Sequence, residues 1–319
     1  MMKVSLTGET DTRKPATSSG ASAVAAPRTH VPSRFSDYLE LTKPRIAVMA
    51  LFTVGAGYLL GAGSSAEWRV LLHTLLGAGM VAAGGSALNQ LFERRIDSRM
   101  RRTRKRPLPA GRIAPEEAAA FGAGLAGAGL AYLAATVSLP ATIAAACTFI
   151  AYAFIYTPMK TKTAWNTVVG AVPGALPPVI GWCAAQGWND QEGAVALFAI
   201  LFLWQIPHFL AIAWMYRADY ASGGLKMLPG CDPTGRRTAF VMVLTAAALL
   251  PLSVLVPAAG LGGWLFGVGA TVFGLMFLRH TITFARDCTD RNARKVLHSS
   301  LFYLPGVFAL LMIDALLVK

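Results

Sequence analysis

Asn89, Glu93 and Asp97 stand four residues apart at the end of a long apolar stretch. On a helix that spacing keeps them within about 80° of one another, on one face. Acidic groups at the end of a membrane span are costly unless they face a polar cavity. Three oxygen-bearing side chains on one stripe suit a hard cation such as Mg2+, which keeps some waters and binds phosphate oxygens. A plainer reading is a solvated helix end in which the acids pair with Arg94 and Arg95. Directly after the stripe come Arg101, Arg102, Arg104, Lys105 and Arg106. Guanidinium forks match phosphate oxygens, although such a basic loop also serves simply to fix membrane orientation.

Two further clusters could take part. Tyr156, Thr157, Pro158, Met159, Lys160, Thr161, Lys162, Thr163 and Asn166 follow another apolar run, and Lys160 could meet phosphate as a point charge. In the segment 204–224, His208 and Asp219 are eleven residues apart, which on a continuous helix puts them within about 20° of one face. Pro207 should kink that helix or free a carbonyl. A histidine bonded to such a carbonyl is the alternative to a functional one. His73, His280 and His298 lack partners at ligand spacing, and the four cysteines form no C-x-x-C pair, so no zinc or redox site is indicated.

The elements that must position these residues are membrane helices. The chain is 55% hydrophobic and only 14% charged, too little charge to clothe a soluble domain. Apolar runs recur at 46–63, 70–91, 116–136, 140–157, 165–186, 194–216, 238–258, 262–279 and 300–318. The expected fold is all-α, a polytopic membrane bundle of about nine transmembrane helices. Small residues such as Gly77, Gly79, Gly84 and Gly85 allow close helix approach. Residues 1–33, rich in Ala, Ser, Thr and Pro, read as a disordered cytoplasmic tail before a domain at 34–319, and Glu9 and Asp11 speak against a transit peptide.

The net charge is +13. Of the Lys and Arg, all but Arg69 and Lys319 fall in the tail or in loops after even-numbered spans. That asymmetry predicts a cytoplasmic N-terminus and an outward Lys319. It also removes the need for nucleic acid as a partner. A transporter is the rival from a different class, but transporters gather charge near the bilayer midplane and show inverted repeats, whereas here the charges collect at one face.

Together these segments resemble the UbiA-type intramembrane prenyltransferases. The resemblance rests on LTKPR at 41–45, NQLFERRIDSRMRRTRKRPLP at 89–109, YTPMK at 156–160, GALPPVIGW at 174–182, WQIPHF at 204–209 and DYASGGLKML at 219–228. It implies an enzyme that uses Mg2+ on Asn89, Glu93, Asp97 and Asp219, with Arg102, Arg106, Lys160 and Tyr156 at the prenyl diphosphate. Gln90 stands where the quinone-type members have another acid, and His208 and Phe209 occupy the place of an early aspartate in the second motif. Those departures look like the haem-prenylating branch. They imply farnesyl diphosphate and protohaem IX as substrates, haem O as product, and a downstream haem A synthase as a candidate partner, in a bacterial inner membrane. His208 would then serve the haem. A quinone precursor or other aromatic acceptor is the alternative. Lys162 stands near a position where many relatives carry arginine, and could only partly replace it.

Overall fold

The computed structural model describes residues 33–258 and 260–317. The expected disorder before Ser33 and the expected outward Lys319 lie outside the described residues. Among the described residues every regular element is helical, and nine helical segments are long and apolar enough to cross a membrane.

The chain enters through α1 (Arg34–Leu41), capped by the Ser33 hydroxyl, which accepts from the Ser36 amide at 3.2 Å. Lys43 turns it into α2 (Pro44–Ala62) with φ 50°, the one left-handed non-glycine residue among those described. Then come α3 (Trp68–Asp97), α4 (Pro115–Thr136) and α5 (Leu139–Ile150). The fourth span continues past α5 as a π-helix at Ala151–Tyr156 and a last turn, α6 (Thr157–Met159). The fifth span is broken into α7 (Asn166–Ala175) and α8 (Pro177–Gln186), where the Pro177–Pro178 pair removes two amide donors. There follow α9 (Glu192–Met215), the short α10 (Arg217–Ser222), α11 (Arg236–Ala258), α12 (Trp264–Arg286) and α13 (Asp290–Leu317).

The nine expected spans are all present, with three extended, the second span as far as Asp97. The eighth helix runs to Arg286 and the ninth begins at Asp290, so most of the expected basic loop at 280–299 is helix. Hydropathy alone ends a span at its first charges, whereas a helix continues into water as long as its backbone bonds are made.

Helices pack pairwise: α3 on α4, α2 on α8, and α12 against both α11 and α13, with α9 central. Close approach needs small residues. A Cβ on Gly181 would sit 1.9 Å from the Val54 carbonyl oxygen, and one on Gly57 would sit 2.1 Å from that of Pro178. Helices α2 and α8 therefore touch backbone to backbone. The bundle's outside is apolar instead of charged, with Phe240, Leu244, Val272, Leu275 and Phe302 exposed. So large an apolar surface fits lipid and not water. Trp68, Trp188 and Trp264 lie exposed at the end opposite the basic loops, where an aromatic belt would meet the headgroups.

Candidate functional site

A cavity of about 120 Å³ opens at the end where α3, α6 and α10 finish. Lys43, Glu93, Asp97, Arg102, Arg106, Tyr156 and Lys160 all line it. The stripe is thus one face of α3, as its spacing requires. Asn89 is fully buried and Asp97 is 1% exposed. Neither acid pairs with Arg94 or Arg95. Arg94 instead donates to the Leu91 carbonyl of its own helix.

Each side chain of the stripe has a separate cation. The Lys43 ammonium donates to Asn89 Oδ1 at 2.5 Å. Asn89 is oriented by its other end, whose Nδ2 donates to the Thr157 hydroxyl at 3.0 Å, which in turn donates to the Tyr152 carbonyl at 2.8 Å. Lys160 Nζ lies 2.7 Å from Glu93 Oε1. At that distance the ammonium and the carboxylate form a close, charge-assisted ion pair. Arg106 Nη1 donates to Asp97 Oδ2 at 2.7 Å.

The two lysines differ. Burial works against the Lys160 charge, yet the Tyr156 phenol and the Glu93 carboxylate hold its pKa above the ordinary lysine value. Its ammonium sits 4.4 Å from the Tyr156 centroid. For Lys43 burial wins and pushes the pKa down to about 7, with Glu93 pulling upward and Arg106 and Lys160 adding to the fall. An arriving polyanion would favour its charged form. Sequence reading gave Lys43 no role, and a lysine directly before the span-opening Pro44 was the available signal.

The loop between α3 and α4 is ordered by local bonds. The Thr103 hydroxyl donates to the Asp97 carbonyl at 2.9 Å, and the Arg106 amide donates to the Thr103 carbonyl at 2.9 Å. Arg102 lies 5.0 and 5.2 Å from the Tyr216 and Tyr220 ring centroids and donates to the Tyr220 hydroxyl at 3.1 Å. The loop carrying Lys160 is tied to the segment after α10: the Lys226 amide donates to the Lys160 carbonyl, and Asn166 Nδ2 to that of Lys226. All three sequence clusters therefore reach the same end of the bundle; the first two supply its charged wall and the third contributes Tyr220. Lys162 does not line the cavity and is exposed.

The expected common face of His208 and Asp219 is not there. Helix α9 ends at Met215, and Tyr216, at φ −107° and ψ 19°, starts a new direction. Helical phase does not carry across that break. Asp219 Oδ1 accepts from the Arg101 amide at 3.1 Å, its Oδ2 is buried without a partner, and it does not line the cavity. His208 turns to α13, where its Nδ1 lies 2.7 Å from the Ser300 hydroxyl. Trp204 stacks on it at 5.0 Å and donates to the Ser300 carbonyl at 2.7 Å.

For a hard divalent cation the chemistry of the donors fits: Glu93 and Asp97 supply buried carboxylates, and Asp219 Oδ2 is a buried carboxylate oxygen without a partner. Among the described residues, however, no three His, Cys, Asp or Glu side chains converge as a metal site. The cations Lys160 and Arg106 sit on the carboxylates instead.

A family model described as the UbiA prenyltransferase family matches residues 50–304. The chain belongs to the UbiA prenyltransferase family. Among curated relatives, the "Protoheme IX farnesyltransferase" of Solibacter usitatus is 46% identical, covering 87% of this chain and 98% of its own. That of Opitutus terrae is 43% identical over 89% of this chain and 96% of its own. The fold matches a solved digeranylgeranylglyceryl phosphate synthase at TM-score 0.76 and 19% identity, covering 88% of this chain and 98% of that one. It also matches a UbiA homologue from Archaeoglobus fulgidus bound to GPP and Mg2+ at TM-score 0.62 and 18% identity, over 86% and 99%. As a UbiA member the chain is a membrane-embedded prenyltransferase, and the cavity at the end of α3 is its candidate active site.

Proposed function

We propose that the chain transfers the farnesyl group of farnesyl diphosphate to a vinyl group of protohaem IX, giving haem O, a step toward haem A. The observation that carries the reading is the convergence of Lys43, Arg106 and Lys160 with Asp97 and Glu93 in one cavity, with Asn89 directly behind it on Lys43. The farnesyltransferase relatives, matched over nearly their whole length, supply the acceptor.

Diphosphate leaves as a polyanion, and a fixed set of cations aimed at it lowers that barrier. Arg102, Arg106, Lys160 and Lys43 are that set. Asn89, Glu93 and Asp97 are the residues that would hold Mg2+, with Asp219 as the remaining unpaired carboxylate. When bound, Mg2+ neutralises phosphate oxygens. Tyr156 presents its ring beside Lys160, and Met100, Leu225 and Met227 give the cavity an apolar rim for the prenyl chain. The bond from carbon to diphosphate oxygen breaks, and the allylic cation takes up the electron pair of the haem vinyl group. Water adds to the resulting cation and loses a proton, leaving the hydroxyethylfarnesyl side chain. A site inside the bilayer limits earlier capture by water.

His208 is assigned to the haem. Ser300 gives its single hydroxyl proton to the Leu297 carbonyl at 2.6 Å, so it accepts from His208 Nδ1–H. That leaves Nε2 unprotonated, the form that ligates haem iron. The membrane is the bacterial inner membrane with the cavity on the cytoplasmic side, and haem O passes to a haem A synthase.

Purified protein given haem, farnesyl diphosphate and Mg2+, followed by mass analysis of the porphyrin, tests the reading. A farnesylated, hydrated haem is the expected product. Prenylation of a phenolic acceptor in its place would assign the chain to the quinone-type reaction.

A further inference from the structure

Helix α1 buries an acid on a face where nothing catalytic happens. Asp37 is 2% exposed, while its helix neighbours Phe35 and Leu39 are exposed. A buried carboxylate is retained where a partner holds it, and here the partner is Arg112, whose Nε donates to Asp37 Oδ1 at 2.8 Å. The same guanidinium reaches in two other directions. Its Nη1 donates to the Lys105 carbonyl at 3.0 Å, and its Nη2 lies 3.6 Å from Glu40 Oε2. One side chain thus joins α1 to the backbone beside Arg106, which in turn grips Asp97 in the cavity.

The far end of α1 is fastened to the acid helix itself. Gln90 is 1% exposed, and its Nε2 donates to the carbonyls of Glu40 and Leu41 at 3.0 and 3.1 Å. These are C-terminal carbonyls of α1; that of Glu40 also accepts from the Lys43 amide at 3.2 Å, while Gln90 is the donor that reaches both. The orientation of the amide is forced, because reversed it would set oxygen against two carbonyl oxygens. A carboxylate at this position, having no N–H, would do the same. The departure noted in the sequence at position 90 therefore has a physical account: the residue faces α1, and its donors are what the site needs. Immediately beyond, Lys43 takes its left-handed backbone and delivers its ammonium to Asn89, the neighbour of Gln90.

We propose that α1 is a strap that holds the basic loop over the cavity, with Asp37, Arg112 and Gln90 as positioning residues for diphosphate handling. None of the three lines the cavity, so each acts through another group: Arg112 and Asp37 through Arg106, Gln90 through Lys43 and Asn89. The strap rests on the reading of that cavity as the diphosphate site. Fixing cationic groups before the ligand arrives lowers the ordering cost on binding, and misplacement of about 1 Å can cost as much as 10²-fold.

The test uses the full chain in lipid nanodiscs, as Arg112→Ala, Arg112→Lys, Asp37→Asn, Gln90→Met and the double variant Asp37→Asn with Arg112→Ala. Hydrogen exchange is read without substrate. Backbone amides at 98–113 are expected to exchange faster in Arg112→Ala and Asp37→Asn, with the spans unchanged. In turnover, KM for farnesyl diphosphate is expected to rise about tenfold or more while KM for haem stays within about twofold. Arg112→Lys, which keeps the charge but not all three contacts, should recover part of the loss. The double variant should be no worse than Arg112→Ala, because the two residues form one contact. If Arg112→Ala does not fold, Gln90→Met probes the other attachment and should give the same KM split. Parallel rises in both KM values, multiplicative effects in the double variant, or unaltered exchange at 98–113 would each overturn the strap. Wild-type protein inert toward both substrates would end the substrate reading, and the exchange data alone would then decide the strap.

Discussion

The two polar regions at this end of the bundle are built on opposite principles. At the end of α3, every side chain of the stripe meets a cation: Lys43 on Asn89, Lys160 on Glu93, Arg106 on Asp97. Around α9 the groups are neutral and aromatic, with His208 between Trp204 and Ser300. Asp219 has only a backbone donor. A region rich in exchangeable cation–oxygen pairs is suited to a polyanion, because phosphate can take over the cations and a metal can take over the carboxylates. A region with a fixed imidazole, an indole and a hydroxyl is suited to a flat apolar ligand with one coordination point. On the proposed reading the difference divides labour between leaving group and acceptor, and each variant below either preserves that division or breaks it.

The largest effect is expected at the carboxylates. Glu93→Gln and Asp97→Asn should lower turnover by about 10²–10³-fold or more, the range seen when one fixed electrostatic group is lost from an active site. Each change also strands a buried cation, which is costly, so retention of fold is checked by monodispersity in detergent and by helical circular dichroism. Near-normal rates at ordinary Mg2+ concentrations would remove these residues from the metal side.

Next come the cations. Lys160→Ala and Arg106→Ala should reduce kcat/KM for farnesyl diphosphate by about 10²-fold and leave haem affinity nearly unchanged. Steady-state kinetics with each substrate varied in turn separates the two. Equal loss on both sides would mean that the division between the regions is wrong.

His208→Ala should do the reverse. On the proposed assignment of His208 to the iron, the visible haem spectrum should change and haem binding weaken by about 10–100-fold, the range for disturbed ligand shells. Farnesyl diphosphate affinity should hold. An unchanged spectrum with lost diphosphate affinity would move His208 to the phosphate side.

How far the sequence foresaw this depends on the range of the interaction. Spans were legible because hydropathy is summed over some twenty residues, and the stripe was legible because Asn89, Glu93 and Asp97 lie on one unbroken helix. The shared face of His208 and Asp219 failed for the same reason turned around, since Tyr216 interrupts the helix on which the phase was counted. The role of Gln90 was invisible because its partners, the Glu40 and Leu41 carbonyls, lie about fifty positions away and belong to the backbone. Lys43 was missed because what brings it to Asn89 is an unusual φ angle, which residue type does not announce. Pairing of Glu93 with Lys160 and of Asp97 with Arg106, in place of Arg94 and Arg95, was likewise decided by tertiary packing.

The smallest effect, and the sharpest control, is at Lys162. It follows Lys160 by two residues and has the same charge, and by sequence it was the candidate to stand in for an arginine found in relatives. The structure separates the pair. Lys160 enters the cavity and its ammonium is held between Glu93 and Tyr156. Lys162 is exposed, its backbone amide closes a turn onto the Met159 carbonyl, and it is absent from the cavity wall. Surface substitutions away from specific contacts usually stay within about 0.5 kcal/mol, so Lys162→Ala should leave both KM values within about twofold while Lys160→Ala does not. The side-by-side kinetics of the two alanine variants check this. A rise in KM confined to farnesyl diphosphate for Lys162→Ala would show that the turn after α6 closes onto the ligand, and the cation set would then have to include a residue that begins outside the cavity.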